Sequence, residues 1–195
     1  MPLDPVEINA GAWYLRLPRC DDRVDDRPAV AAAARDPQIR RRHDLPDPAA
    51  PDFDDRVTAR LTDRIDGWAR GTRCAWAVAE PTTGEMLGEV TLEPDPVHGT
   101  GEIACWTLPG ARGRGLARTA AGAVCRFAFG GLGLHRLTWR HAGPDVAAAR
   151  VADALGFVPE GRLRAAWAAD GGRVDVVLLG RLAGDPVPSL SPPRR

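Results

Sequence analysis

Lysine is absent from this 195-residue chain: its 26 basic residues are all arginine, and they balance 26 acidic ones to a net charge of zero. With no excess of either sign, no long-range field draws the chain to nucleic acid or a membrane surface, and neither partner is expected. Long apolar runs are missing too, since none approaches the roughly 20 residues that span a bilayer. The opening Met1-Pro2-Leu3-Asp4-Pro5 has neither the basic segment nor the apolar stretch of a secretion signal. Together these absences predict a cytoplasmic protein. Cysteine is sparse and unclustered (Cys20, Cys74, Cys105 and Cys125, with no C-x-x-C pair), which predicts free thiols and neither disulfides nor a zinc site. His43, His98, His135 and His141 form no pair at helical metal spacing, and tyrosine occurs once, as Tyr14.

What is present is ordinary for a globular protein: 44% hydrophobic and 27% charged residues. The length suits one core, so a single domain over 1–184 is expected, with 185–195 (DPVPSLSPPRR) as a disordered tail. Residues 7–16 read as an opening strand and 28–42 as a helix with Pro28 in its first turn. A proline-rich loop over 44–52 follows. Val57, Leu61, Ile65 and Trp68 then share one face of a helix over 54–69. Strands are expected over 74–79, 86–93 and 102–108, separated by turns at Pro81-Thr82-Thr83-Gly84 and at 94–99. Leu116, Ala120, Val124 and Phe127 have the spacing of a core-facing helix over 115–129, closed by Gly130-Gly131. A strand over 134–141, a shorter helix from Pro144-Asp145 to Leu155, and strands over 157–167 and 173–181 complete the chain. The fold class is α/β (α+β): a mixed, mostly antiparallel seven-stranded twisted sheet with helices on both faces. The two strands joined through the 115–129 helix should run parallel.

The most informative stretch is Pro109-Gly110-Ala111-Arg112-Gly113-Arg114-Gly115-Leu116-Ala117, between a strand and a helix. Glycines lacking a Cβ let backbone N–H groups approach an anion, and the helix start adds positive potential. The arrangement predicts a phosphate or diphosphate cradle. It lacks the lysine of the nucleotide-binding G-x-x-x-x-G-K-[ST] loop and the glycine spacing of the dinucleotide fingerprint.

Arg112-x-x-Gly115-x-Ala117 resembles the coenzyme A loop of the GNAT N-acetyltransferase superfamily. Gly101-Glu102-Ile103-Ala104-Cys105-Trp106-Thr107-Leu108-Pro109 is similar to its AEIGYWLxP strand, and Phe127-Ala128-Phe129 with Leu132-Gly133-Leu134-His135-Arg136-Leu137 to its YAF..LGLHRL. The run from Asp145 to Phe157 follows NxASxRVxEKLGF. The likeness covers about residues 85–181 and is greatest to the branch acting on ribosomal-protein N-termini. It implies the acyl-CoA N-acyltransferase fold, acetyl-CoA as cofactor, and transfer of acetyl to a primary amine on a protein N-terminus or small molecule, by a monomer or homodimer. A catalytically degenerate module that binds acyl-CoA in a regulatory or sensing role is the alternative.

The resemblance places cofactor contacts at Thr107, Leu108, Arg112, Gly113, Arg114, Gly115, Leu116, Ala117, Asp145 and Arg150. Carbonyl polarisation would come from amides near Thr107 and Leu108. Glu102 is the leading general base, with Glu89 and Glu93 as rivals sharing one face of the neighbouring strand. The chain departs from the family pattern in four ways. Asp145 replaces an asparagine, Ala148 a serine and Cys105 a tyrosine, and the usual acid tyrosine near the late helix is missing.

Overall fold

The computed structural model describes residues 2–169 and 171–186; most of the expected tail, 187–195, lies outside them. Eight strands form one sheet in the order β1-β2-β3-β4-β5-β6-β8-β7. In chain order the elements are β1 (Ile8–Asn9), β2 (Tyr14–Arg16), α1 (Arg27–Arg35), α2 (Pro37–Arg40), α3 (Phe53–Arg70), β3 (Cys74–Ala79), β4 (Met86–Asp95) and β5 (Thr100–Thr107). Then come α4 (Leu116–Arg126), β6 (Arg136–Ala142), α5 (Val146–Ala154), β7 (Val158–Ala169) and β8 (Gly172–Leu182). Every pairing is antiparallel except β5 with β6, which α4 joins.

Both faces of the sheet are covered. Val30, Ala33, Ile39, Val57 and Leu61 from α1–α3 pack on Ala77, Met86 and Trp106. On a second cluster, Ala120, Ala121 and Val124 of α4 and Ala152 of α5 meet Trp76, Val90, Ile103, Leu137 and Trp139. Being covered twice explains why all six residues of β3 are buried and why its sequence does not alternate apolar with polar. Gly88 marks a close backbone approach within the sheet: a Cβ there would meet the Trp106 carbonyl oxygen at 2.4 Å and Leu116 at 3.2 Å.

Three local expectations change. The opening strand is a hairpin turned at Gly11 (φ +78), whose N–H donates to Asn9 Oδ1 at 2.9 Å; this makes eight strands instead of seven. The helix expected over 28–42 breaks at Asp36, which is extended (ψ 113) and accepts from the amides of Gln38 and Ile39. Pro37 disfavours helical geometry in the residue before it, and the carboxylate caps a new turn. Gly130-Gly131 does not end α4, which continues as a π turn over Phe127–Gly131; the left-handed glycine beyond it is Gly133 (φ +66).

Candidate active site

The parallel pair forks. β5 and β6 are in register from Thr100↔Arg136 to Ile103↔Trp139, yet β5 continues to Thr107 and β6 to Ala142. Past Ile103 the strands therefore part, exposing backbone between them. In the β4–β5 ladder Leu108 donates to Leu87 O at 2.9 Å, so its amide is engaged. By antiparallel alternation the Thr107 N–H turns away from β4, towards the fork. Of the two amides expected to polarise a carbonyl, only Thr107 has that orientation.

Beyond the open end lies the glycine turn. Gly113 and Gly115 take left-handed backbone (φ +75 and +76), and a Cβ added at Gly110, Gly113 or Gly115 would meet nothing within 4 Å. The first intrahelical bond of α4 is Thr119 N–H to Gly115 O at 3.0 Å, and no side chain caps the helix. The amides of Leu116, Ala117 and Arg118 therefore have no intrahelical acceptor. An open cradle of this kind fits a diphosphate. The turn's arginines are turned to other work: Arg112 donates to Asp36 (2.6 Å) and to Thr107 O (3.3 Å), and Arg114 lies over the Trp13 ring at 4.8 Å. Arg150 stands exposed on α5.

Asp145 caps α5, accepting from Ala148 N–H at 3.0 Å, and pairs with Arg42. Arg42 lies just after α2, in a segment fastened at further points. Asp36 at its start meets Arg112, and the Asp44 carbonyl accepts from Arg60 Nε at 3.2 Å. This strap runs from the glycine turn to the start of α5. A cavity of about 170 Å³ lies beside it, lined by Pro37, Arg42, Ala142, Pro144, Trp167 and Val174 among others. A bulge in β7 between Leu163 and Trp167, with Ala165 in left-handed geometry (φ 49) and its N–H on Asp175 at 2.9 Å, sets where Trp167 sits.

The three candidate carboxylates differ sharply. Glu102 stands opposite Thr138, one rung before the last paired rung of the fork, and is held by Arg140 at 2.7 Å. Glu93, its partner across β4–β5, is exposed and bound to Arg73 at 2.6 Å. Glu89 is buried, bound by both terminal nitrogens of Arg60 at 2.7 and 3.0 Å. Burial alone would raise its carboxyl, but the Arg60 charge and hydrogen bond, with Arg64 behind, hold it down to about 2. Beside it, burial pushes the His43 imidazole down to about 4, against the pull of Glu89. On β5, burial and then the Asp145 charge push the Cys105 thiol up to about 12. Tyr14 donates to Glu7, which stands just before β1. Sequence reasoning passed over Arg42 and His43; among 26 arginines, nothing in the run Arg40-Arg41-Arg42-His43 singled out one guanidinium.

The parallel pair thus forks beside an uncapped, glycine-entered helix. The family model described as an acetyltransferase (GNAT) domain matches residues 15–158; the chain belongs to this family, whose acetyltransferases use acetyl-CoA. Solved structures share the fold. The microcin C7 self-immunity acetyltransferase MccE, in complex with acetyl-CoA and AMP, superposes with a TM-score of 0.74 at 16% identity, over 92% of this chain and 98% of that one. The ribosomal-protein-S5-alanine acetyltransferase of Vibrio fischeri gives 0.72 at 19% identity, over 92% and 98%. Mycobacterium smegmatis RimJ, in complex with CoA-disulfide, gives 0.70 at 21%, over 93% and 87%. No curated protein matches the sequence. Among the described residues no helix is long and apolar enough to cross a membrane, and no group of three or more His, Cys, Asp or Glu could hold a metal ion.

Proposed function

We propose that the protein transfers an acetyl group from acetyl-CoA to a primary amine, on a protein N-terminus or a small molecule, by direct attack on the thioester. The observation that carries this reading is the fork: its open end lies between the uncapped amides of α4 and the cap of α5. Acetyl-CoA supplies the reaction with an activated acyl carbon. The amides of Leu116, Ala117 and Arg118 hold the diphosphate, and Gly113 and Gly115 let the backbone come close. The Thr107 N–H donates to the carbonyl oxygen as negative charge gathers there.

The amine must be neutral to attack. Glu102, at the closed end of the fork, accepts its proton through water. Glu93 is the rival on the next strand, while Glu89, clamped by Arg60, is the least suited of the three. The acceptor's own side group occupies the cavity walled by Pro144 and Trp167. Thiolate departure needs no dedicated acid, because an ordinary thiol has a pKa near about 8.5.

The test has two stages. Calorimetry should show acetyl-CoA binding to the wild type. Thiol release with a panel of primary amines should follow, and Glu102→Gln should lower kcat about 100-fold with acetyl-CoA affinity kept. Absence of binding refutes the reading. Binding without release for every amine would instead favour a module that holds acyl-CoA without turning it over.

A further inference from the structure

We infer that Arg42 is a positioning residue of the cofactor cleft: it neutralises the Asp145 carboxylate at the open end of the fork, so that a polyanionic carrier can lie beside it. The inference rests on the cofactor reading above.

Asp145 stands three residues after β6 ends at Ala142 and caps α5. The carboxylate therefore stands just beyond the β6 prong, on the side where the strands part. A carboxylate can only accept hydrogen bonds. Oδ1 accepts from the Ala148 amide at 3.0 Å, and Oδ2 receives Arg42 Nη1. The Asp145 side chain is only 15% exposed, so water screens it poorly. Without the guanidinium, a full negative charge would sit beside a cleft whose other wall is arranged to bind phosphates.

Arg42 is held in place by more than its own flexible side chain. Its segment is tied to the glycine turn through Asp36–Arg112 and to β4 through the Asp44 carbonyl, Arg60 and Glu89. The guanidinium reaches Asp145 from a strap fixed on either side of it, and this pre-orders the pair before any ligand arrives. The same geometry allows a plainer role, in which the ion pair merely fastens the strap. The two roles make opposite predictions when the carboxylate is removed. A fastening is lost with either partner, whereas a neutralising charge becomes unnecessary once Asp145 is neutral.

The experiment is a double-mutant cycle on the full chain: wild type, Arg42→Ala, Asp145→Asn and the double variant, read by calorimetric affinity for acetyl-CoA and by KM against kcat. Arg42→Ala should weaken binding about tenfold, within the usual range for coupling between a side-chain pair and a separate ligand. It should raise KM for acetyl-CoA more than it lowers kcat. Adding Asp145→Asn should restore most of the affinity, and the Arg42→Ala defect should shrink as salt screens the carboxylate. Arg42→Gln, closer in length, is read the same way should the alanine variant fail to fold. A double variant no tighter than Arg42→Ala overturns the inference, as does an Arg42→Ala protein that binds like wild type. Absence of binding by the wild type overturns the cofactor reading along with it; a binding wild type with a null cycle overturns the Arg42 role alone.

Discussion

Replacing Glu89 by glutamine should destabilise the fold by about 3–5 kcal/mol, the scale for breaking a buried ion pair by removing one partner. Three charged side chains meet at this point of the sheet, and all are nearly sealed from water: Glu89 is 2% exposed, Arg64 5% and Arg60 7%. Arg60 grips both carboxylate oxygens, Arg64 Nε lies 3.7 Å away, and Trp106 Nε1 donates at 3.3 Å. Among the described residues Arg64 Nε has no hydrogen-bond partner. Removing the carboxylate would leave two buried cations repelling each other. The same contacts hold the carboxyl at about 2 against an ordinary 4.5, so part of this stability is linked to pH. The folded value lies below the unfolded one, so this stability is complete above pH 4.5 and disappears as pH falls towards 2. Urea unfolding of wild type and Glu89→Gln at pH 7 should show the full gap, and the gap should narrow from pH 4.5 downward. A variant within about 1 kcal/mol of wild type at pH 7, well under that range, or a gap indifferent to acid, would refute the reasoning.

Other outcomes follow from neighbouring groups. His43 is pushed down from an ordinary 6.5 to about 4, so the folded state resists its proton: stability is complete above pH 6.5 and declines as pH drops towards 4. His43→Gln should flatten that decline in unfolding curves taken between pH 7 and 4.5. Gly115→Ala should lower stability by about 1–2 kcal/mol, because its φ of +76 is left-handed. It should also weaken acetyl-CoA binding in calorimetry, since the new methyl would project into the open cradle. Cys105, with its thiol up at about 12, stays protonated at neutral pH and is a poor nucleophile. Cys105→Ala should therefore still release thiol from acetyl-CoA, and rapid-quench mass spectrometry of the wild type should find no acetylated chain; an acetyl-cysteine peptide would sink direct transfer.

Some of this architecture was readable from local chemistry. The turn from Arg112 to Ala117 announces itself because a strand, left-handed glycines and a helix start are all encoded within a few residues. The paired strands around Pro81-Thr82-Thr83-Gly84 are equally local. The break at Asp36-Pro37 was also there to be read, but the alanine run before it favours helix strongly enough to carry an expectation past the proline. What the sequence could not show is which carboxylate each arginine meets. Arg42–Asp145 spans 103 residues, Arg112–Asp36 spans 76 and Arg60–Glu89 spans 29. Pairing at such range is decided by the fold as a whole. The same gap separates the three glutamates: their strand and spacing were legible, but the guanidinium that makes Glu89 structural comes from α3.

Those long-range pairs explain how the first third of the chain contributes while carrying no recognisable motif. The family match begins at residue 15, yet the stretches that resemble family motifs start only near residue 85. Between them, α2 and the loop after it act through polar contacts: the Asp36 carboxylate on Arg112 of the glycine turn, Arg42 on the cap of α5, and the Asp44 backbone carbonyl on Arg60, which grips Glu89. Arginine suits this work better than lysine would. One planar fork binds both oxygens of Glu89 and still reaches the Asp44 carbonyl through Nε, which a single ammonium could not do at the same positions. A chain without lysine is therefore consistent with a site whose outer wall is assembled from guanidinium contacts, and Arg60→Lys should weaken that wall although the charge is kept.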